Sequence, residues 1–299
     1  MTASEAAETR RACPICGAAG RLAYECNIDE QLVNEFTYAS RKIPELMHYE
    51  YLECETCKLL FTSELPDESS LISAYEDAAF DAAKESAMAA ATYVRALQVV
   101  LRRGVSSVLD VGCGDGEFMS ACLAAGVTSV HGIEPSPAAS CLAPASLQSR
   151  IYSGGYETYK NDDRVDLVTL FQTIEHIRNP IGFLVDAQSF ARPGGYIAVA
   201  CHDYTALPNR LMGEKSPIFD IEHLQVFSQR SITKAMQKAG LHVGYVRAYS
   251  NSYPLAYWGR LAPLPSSLKS GALLDNALTN HLNIRLPVGN IMAIGQIPD

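Results

Sequence analysis

Apolar and polar positions in the C-terminal two thirds of the chain follow two alternating periods. Short apolar runs with β-branched residues, which are typical of buried strands, are separated by stretches with helical spacing. The runs lie at residues 108–111, 129–134, 150–153, 165–171, 196–200, 241–249 and 290–297. Strands that alternate with helices predict an α/β fold, in which helices cover a largely parallel sheet.

The first of these runs ends in a glycine-rich turn, Gly112-Cys-Gly-Asp-Gly-Glu117, and a helical stretch at 118–126 follows it. Glycine has no Cβ atom, so the backbone of such a turn can approach a ligand closely at the N-terminus of the helix. The dinucleotide fingerprint G-x-G-x-x-G holds a pyrophosphate there. Here Glu117 takes the place of the third glycine and Asp115 adds a second carboxylate. These acids disfavour a nicotinamide oxidoreductase, and they suit a ligand with a positive sulfonium and no phosphate.

The second predicted strand ends in an acid, Glu134. A carboxylate at this position can accept hydrogen bonds from both hydroxyls of a ribose. A glycine-rich turn alone is a weak signal. The turn, its acids and Glu134 together are a strong one for a nucleoside that carries a sulfonium.

Four segments resemble the motifs of the class I S-adenosylmethionine (SAM) methyltransferases, and they keep that family's order and spacing. They are Leu109-Asp-Val-Gly-Cys-Gly-Asp-Gly-Glu117, Gly132-Ile-Glu-Pro-Ser136, Val165-Asp-Leu-Val-Thr-Leu-Phe-Gln-Thr-Ile-Glu-His176 and Ala191-Arg-Pro-Gly-Gly-Tyr-Ile197. The resemblance covers about residues 105 to 250. It implies a Rossmann-like, seven-stranded methyltransferase sheet that binds SAM.

The resemblance also implies which residues bind the cofactor. The glycine turn would hold the methionine part of SAM, and Glu134 its ribose. The stretch after the third strand, where the family frames the adenine, is Gly154-Gly-Tyr-Glu157 and lacks the usual Asp. The implied cofactor-binding residues are Asp110, Gly112, Cys113, Gly114, Asp115, Gly116, Phe118, Glu134, Pro135, Tyr156, Phe171 and Gln172.

Two C-x-x-C pairs near the N-terminus, Cys13/Cys16 and Cys54/Cys57, indicate a metal site. Each pair is typical of a tight turn that presents two thiolates to one ion, and four thiolates close a tetrahedral structural zinc site without an open position. A redox role is disfavoured because neither pair opens a helix in a βαβ pattern. The total of nine cysteines is odd and fits metal binding in a reducing compartment better than disulfides.

The chain divides into three predicted parts: a zinc-binding module at residues 1–66, a helical linker or cap at 67–104, and the SAM-binding domain at 105–299. Glycines and prolines break the stretch 203–221, which predicts a lid over the substrate. An insertion at 251–289 could form part of the substrate pocket. The insert at 27–48 could be a flap over the substrate or a loop of the module. In methyltransferases with such a module, the segment that holds Tyr75 borders the active site.

Charge and hydropathy narrow the class of partner. The net charge is −9, but residues 1–70 carry 13 acidic and 6 basic side chains, whereas residues 222–299 carry 3 and 7. The acidic module disfavours nucleic-acid binding there, while the basic C-terminal part could meet an anionic acceptor or be a solvated surface. No apolar run approaches the roughly 20 residues of a membrane helix. The first residues lack the apolar core of a signal peptide. We therefore expect a soluble, cytoplasmic protein.

Two histidines are candidates for the base of a methyl transfer, in which the enzyme aligns donor and acceptor and removes a proton. His202 directly follows the fifth strand. His223 stands in Asp220-Ile-Glu-His-Leu-Gln-Val-Phe-Ser228, which resembles a segment of knuckle-bearing sugar C-methyltransferases whose Glu-His pair serves in proton removal. The resemblance assigns Glu222 to support His223. Ile221 replaces the usual Asp, and the chain is too short for their additional C-terminal domain.

The acceptor atom stays open, because similar His-Leu-x-x-Phe-Ser segments occur in O-methyltransferases. Another acid–histidine pair, Glu175-His176, stands where the methyltransferase family commonly has such a pair after the fourth strand, and the resemblance therefore implies a packing or helix-start role. The leading interpretation is a SAM-dependent methyltransferase that methylates an oxygen or carbon of a sugar, a nucleotide-linked sugar or a natural product. The alternatives are an rRNA or tRNA base methyltransferase and a non-catalytic zinc- and SAM-binding module of a pathway. The sequence does not predict an oligomeric state.

Overall fold

The structure, a computed structural model, describes residues 10–34, 37–38, 46–67, 69, 71, 73–74, 83–160, 163–262 and 277–299. Tyr75 lies outside the described residues, as do parts of the insert at 27–48 and of the insertion at 251–289. Among the described residues, no helix is long and apolar enough to cross a membrane.

The strands fall into two sheets. They are β1 (Arg21–Tyr24), β2 (Tyr51–Glu53), β3 (Leu60–Thr62), β4 (Ser107–Val111), β5 (Ser129–Glu134), β6 (Ile151–Ser153), β7 (Val165–Phe171), β8 (Ala191–His202), β9 (Gln225–Val226), β10 (His242–Pro254) and β11 (Asn283–Gln296). The larger sheet has seven strands in the order β10-β11-β8-β7-β4-β5-β6. Its strands β4 to β8 pair in parallel, and β11 pairs antiparallel with both β8 and β10. This confirms the predicted seven-stranded α/β fold.

The helices cover both faces of this sheet. They are α1 (Ala83–Leu101), α2 (Glu117–Ala124), α3 (Pro137–Ser140), α4 (Ala145–Gln148), α5 (Pro180–Ser189), α6 (Leu207–Met212), α7 (Gln229–Lys238), α8 (Leu255–Leu261) and α9 (Ala277–His281). Every residue of β7 is buried, because an apolar cluster packs on each face of the sheet. Two of these helices have side-chain N-caps: Asn179 accepts a hydrogen bond from Gly182 N, and Ser228 accepts one from Ser231 N.

Strands β10 and β11 extend further than the apolar pattern predicts. Their pairing continues to Pro254 opposite Asn283, with an irregularity between Tyr249 and Asn251. The two strands therefore leave the central sheet as a ribbon, and helices α8 and α9 lie between them in the chain. In β11, residues 283–288 include no buried side chain, so the apolar pattern does not mark them as part of a strand.

The N-terminal sheet has four strands in the order β1-β2-β3-β9. Its last strand, β9, comes from the C-terminal part of the chain and pairs antiparallel with β3. The cysteines and Phe61 of the module pack in one apolar cluster with Phe227 and Ile232. The module and the predicted SAM-binding domain thus share a sheet and a core.

Candidate active site

A large cavity lies where the parallel strands β4, β5 and β7 end, which is the edge where open α/β sheets bind ligands. Its volume is about 1490 Å³. Residues of α1, the glycine turn, the predicted lid and the insertion line it. Of the predicted catalytic and cofactor-binding residues, all but Gly116 are in this lining. The structure thus brings them to one place, while their individual roles remain predictions.

The glycine turn depends on backbone conformations that side chains disfavour. Gly112, Gly114 and Gly116 have φ angles of 81°, 53° and 73°. A Cβ atom on Gly112 would lie only 2.6 Å from Thr173 Oγ1. Gly112 N and Cys113 N donate to the carbonyl oxygen of Ile133 at 2.8 and 3.1 Å. The turn therefore presents bare backbone to the cavity, and Gly116 instead begins helix α2.

Glu134 is a buried carboxylate that ties the turn to the next strand. One of its oxygens accepts from Gly114 N at 2.8 Å and the other from Ser136 N at 2.8 Å. Each oxygen keeps capacity for a further hydrogen bond, which two ribose hydroxyls could donate. Burial raises the pKa of Glu134. Pro135 and Tyr156 line the same cavity.

Asp110 is the most deeply buried acid of the predicted cofactor site. Thr169 Oγ1 donates to its Oδ1 at 2.6 Å, and burial raises the pKa of Asp110 to about 7. A cluster of rings lines the same cavity, in which Phe171 contacts Tyr93 at 4.4 Å and Phe118 at 4.8 Å between centroids. Tyr93 was not predicted, because it looks like an ordinary apolar position of helix α1.

Gln172 directly follows β7 in a conformation that is rare for a residue with a side chain. Its φ angle is 52°, and its backbone N–H donates to Ala200 O at 2.8 Å. Nε2 donates to Tyr249 Oη at 3.5 Å. Oε1 is buried and has no partner among the described residues. An unpartnered acceptor in the lining of a cavity is suited to a hydrogen-bond donor of a ligand.

Three histidines, His176, His202 and His223, line the cavity together. The centroids of His176 and His223 are 5.0 Å apart, and those of His202 and His223 are 5.4 Å apart. Burial lowers the pKa of His176 and His202 to about 3 each, and it also lowers the pKa of His223. The three rings are therefore neutral at pH 7, the form in which an imidazole accepts a proton.

Hydrogen bonds fix the proton positions on two of these rings. His223 Nδ1 lies 2.8 Å from Ile218 O, so Nδ1 carries the proton and Nε2 keeps its lone pair. His202 Nδ1 lies 2.9 Å from Asn290 Oδ1, which leaves its Nε2 as an acceptor too. The third ring, His176, has its Nδ1 3.4 Å from Glu222 Oε2. Sequence reasoning favoured a packing role for His176, yet it borders the cavity and contacts Glu222.

Glu175, in contrast, is fully buried behind the histidines. Its Oε1 accepts from His202 N at 2.8 Å, whereas its Oε2 has no partner among the described residues. Burial raises the pKa of Glu175 to about 8. This side chain holds the backbone of His202, which agrees with the packing role that the sequence favours for it.

Aromatic rings of the insertion line another part of the cavity. Tyr253 contacts Tyr257 at 4.3 Å and Trp258 at 5.4 Å between centroids. Trp258 Nε1 donates to Ile284 O at 2.9 Å, which fixes the indole against β11. The expectation that the insertion could contribute to the pocket agrees with this placement. Such rings can stack on the faces of a sugar or an aromatic acceptor.

Carboxylates dominate the charge of the cavity lining. Arg178 is the only arginine or lysine that lines it in the described part of the chain, and its Nη1 donates to Pro66 O at 2.5 Å. The acids in the lining are Glu85, Asp110, Asp115, Glu117, Glu134, Glu157, Asp220 and Glu222. The cavity is therefore better suited to neutral or cationic ligands than to anions.

The predicted zinc ligands form a compact cluster about the N-terminal sheet. All four Sγ atoms lie within 4.8 Å of one another, with Cys13 and Cys57 3.5 Å apart and Cys16 and Cys54 3.3 Å apart. In the described part of the chain, this is the one His, Cys, Asp or Glu group close enough to hold a metal ion. Four thiolates at such separations fit a tetrahedral zinc ion with Zn–S bonds of about 2.3 Å.

The two cysteine turns have the same backbone geometry. Gly17 N donates to Cys13 O at 2.9 Å, and Lys58 N donates to Cys54 O at 2.8 Å. The residue after each pair is left-handed, with φ angles of 75° at Gly17 and 58° at Lys58. Two equivalent knuckles that face each other are what a shared metal ion requires.

Comparison with known proteins identifies the family. The family model described as methyltransferase domain matches residues 80–245, which is more than half of the chain. The chain belongs to this methyltransferase family. That match and the cavity geometry identify residues 80–245 as a SAM-dependent methyltransferase domain.

Curated relatives and solved structures extend the comparison. The tRNA U34 carboxymethyltransferase of Idiomarina loihiensis is 36% identical over 101 residues, or 31% of this chain and 31% of its own. The chain thus spans about a third of the length of the curated relatives it matches. A SAM-dependent methyltransferase of Thermotoga maritima is 16% identical, with 71% and 90% of the two chains covered and a TM-score of 0.45. The plantazolicin methyltransferase BpumL, solved in complex with SAH, is 15% identical, with 78% of this chain and 91% of its own covered and a TM-score of 0.48.

Proposed function

We propose that the protein transfers the methyl group of SAM to a hydroxyl group of a small, neutral acceptor, with His223 as the base. The observation that carries the proposal is the neutral, buried His223 ring in the cavity lining. Its Nδ1–H is held by Ile218 O at 2.8 Å, which leaves Nε2 as the proton acceptor. A carbon acid would need the same base, so C-methylation is the variant of this function that the acceptor screen below also tests.

The proposed position of SAM follows the glycine turn and the strand ends. The methionine part lies over Gly112 to Gly116, and the ribose hydroxyls donate to the free lone pairs of Glu134. The adenine lies near Pro135 and Tyr156. Support comes from the shared cavity and from the carboxylates beside it, since SAM brings a positive sulfonium and an ammonium group.

The reaction itself is an in-line displacement. The acceptor oxygen attacks the methyl carbon, the carbon–sulfur bond breaks, and SAH leaves with the electron pair on sulfur. His223 Nε2 takes the hydroxyl proton, and the resulting imidazolium is stabilised by the Asp220 carboxylate, which acts on the pKa of His223 in this direction. His202 is the competing base, because its Nε2 is also an acceptor.

The charge of the cavity decides between classes of acceptor. The sequence allowed an anionic acceptor because the C-terminal part is mildly basic, but the described cavity lining holds eight acidic side chains and one basic side chain, Arg178. A phosphate or an RNA backbone would meet this excess of negative charge. A carboxymethyl group, which the tRNA relatives transfer, would add another carboxylate at the transferred carbon. A neutral polyhydroxyl or aromatic acceptor fits the rings of Tyr253, Tyr257 and Trp258.

A structural zinc ion completes the proposal. Cys13, Cys16, Cys54 and Cys57 would hold it in a closed site that has no position for a substrate. Such an ion would stabilise the two knuckles, and its four thiolate ligands would leave it no position from which to take part in the methyl transfer.

An acceptor screen with labelled SAM tests this function. The arms are neutral sugars and phenols, nucleotide-linked sugars, and bulk tRNA, each with wild-type protein and with His223→Gln. With the wild-type protein we expect label in a neutral hydroxyl compound and an equimolar amount of SAH. With His223→Gln we expect neither product. Label in tRNA with none in the small molecules would overturn the proposed acceptor class and favour the relatives' type of substrate.

A further inference from the structure

The chain on the C-terminal side of His223 is built into the sheet of the N-terminal module. Strand β9 starts two residues after His223 and pairs with β3, with Leu60 opposite Val226 and Phe61 opposite Gln225. Thr62 N also donates to Leu224 O at 3.0 Å. The peptide next to His223 thus takes its position from the module, although it is far away in sequence.

Tyr51 of β2 reaches His223 directly. Its hydroxyl donates to the carbonyl oxygen of His223 at 2.5 Å. The ring is fully buried, stacked on His48 with centroids 5.4 Å apart and tilted against Phe219 at 5.9 Å. A hydroxyl on a fully buried ring that packs against two other rings is a rigid donor, so it restricts the backbone from which the imidazole projects.

The cysteine cluster lies at the other end of the same strands. Cys54 follows β2 directly, and Cys57 lies between Cys54 and β3. Lys58, in the second knuckle, accepts a hydrogen bond at its carbonyl oxygen from Ser228 Oγ at 2.6 Å. A metal ion that fixes this knuckle would therefore fix both the Tyr51 contact and the segment 224–228.

We propose that the N-terminal zinc module positions the base: Tyr51 and the β3–β9 pairing hold His223 toward the cavity, and the cysteine cluster keeps them rigid. Tyr51 lies outside the cavity lining, so it acts through His223 rather than on the substrate. The role of His223 as the base rests on the proposed function. The placement of His223 by Tyr51 rests on the hydrogen bond between them and does not depend on that function.

The test uses Tyr51→Phe in the full, zinc-loaded chain, which keeps the ring and removes the hydroxyl donor. The matched control is Tyr196→Phe, which removes a tyrosine hydroxyl that accepts from Arg103 Nη1 at 3.5 Å, outside the cavity lining and outside the N-terminal module. Three quantities are measured: kcat, KM for SAM, and hydrogen exchange in the peptide 222–228. Metal analysis checks that both variants keep their zinc. A further arm measures the same exchange in wild-type protein after zinc chelation.

For Tyr51→Phe we expect kcat to fall roughly tenfold or more, because small displacements of a reacting group are costly, with KM for SAM unchanged. Hydrogen exchange in the peptide 222–228 should be faster in this variant and in the wild-type protein after chelation, and Tyr196→Phe should match wild type in both kcat and exchange. Wild-type exchange and wild-type kcat in Tyr51→Phe would overturn the proposal. Faster exchange with unchanged kcat would support the placement by Tyr51 and would instead refute His223 as the base.

Discussion

Replacing Glu134 by alanine should weaken SAM binding by a calculable amount. Each carboxylate oxygen accepts one backbone N–H, from Gly114 and from Ser136, both at 2.8 Å, and keeps capacity for one ribose hydroxyl. Hydrogen bonds to charged groups contribute about 1.5–3 kcal/mol each. With one to two such bonds lost, the variant should bind SAM more weakly by on the order of 2–4 kcal/mol, or roughly 30- to 1000-fold in Kd.

The alanine variant also removes the two bonds that tie the glycine turn to β5, so a single affinity would mix two effects. A thermodynamic cycle separates them. Titration calorimetry measures SAH and its 2′-deoxy analogue against wild-type protein and Glu134→Ala. Damage to the turn and loss of the 3′-hydroxyl contact weaken both ligands alike, whereas loss of the 2′-hydroxyl contact affects only SAH. We expect a coupling free energy of about 1–3 kcal/mol between the hydroxyl and the carboxylate.

Additive losses would refute the reasoning. A coupling within about 0.5 kcal/mol of zero would mean that the ribose hydroxyl does not contact Glu134. The control is the unfolding temperature of the ligand-free variant, which shows whether the turn alone has been disturbed.

Three further predictions concern the metal site, the base and a buried acid. Cys54→Ser/Cys57→Ser should lose the single zinc per chain in metal analysis, whereas Cys26→Ser, an exposed cysteine outside the cluster, should keep it; full zinc in the double variant would contradict the site. His223→Gln should cut the rate by roughly 10²–10⁴ with SAM affinity nearly intact. Because burial lowers the pKa of His223, the acid limb of the pH–rate profile should lie below 6.5 and disappear in the variant; an unchanged profile would move the base to His202. Burial raises the pKa of Glu175 from 4.5 to about 8, so its contribution to stability is complete below 4.5 and is lost as the pH rises through 8. The melting temperature of Glu175→Gln should therefore rise relative to that of the wild type as the pH increases from 5 to 8. A difference in melting temperature that does not change with pH would show that Glu175 does not titrate in this way.

The parts of the fold that the sequence predicts are those with local signals. The apolar run 108–111 is followed by a turn with three glycines and the acids Asp115 and Glu117. Each of these signals lies within a few residues of the next, so the sequence alone predicts the strand and the turn. Asn179 and Ser228 cap helices through contacts three residues away, which a short window contains. The central strand β7 is apolar throughout because both of its faces are covered.

The parts that the sequence misses depend on distant partners. Strand β9 has only two residues and pairs with β3, more than 160 positions earlier in the chain. A strand this short has no alternating pattern from which the sequence could predict it. Tyr93 looks like any apolar residue of a helix until α1 brings it to Phe171. His176 follows a strand, a position that packing residues often occupy. Its place in the cavity lining and its 3.4 Å contact with Glu222 become evident only in the folded structure. Each case is a tertiary contact between ordinary residue types.

The most direct test of the account is the distance between the methyl position of bound SAM and Nε2 of His223, measured in a crystal structure of the protein with SAM or SAH. A hydroxyl must fit between them, at about 3–3.5 Å from the methyl carbon and within hydrogen-bond reach of the base. The account predicts a separation of about 6 Å, with the ribose on Glu134. A cofactor whose sulfur points away from the three histidines, or whose methyl position lies nearer to His202 than to His223, would contradict it.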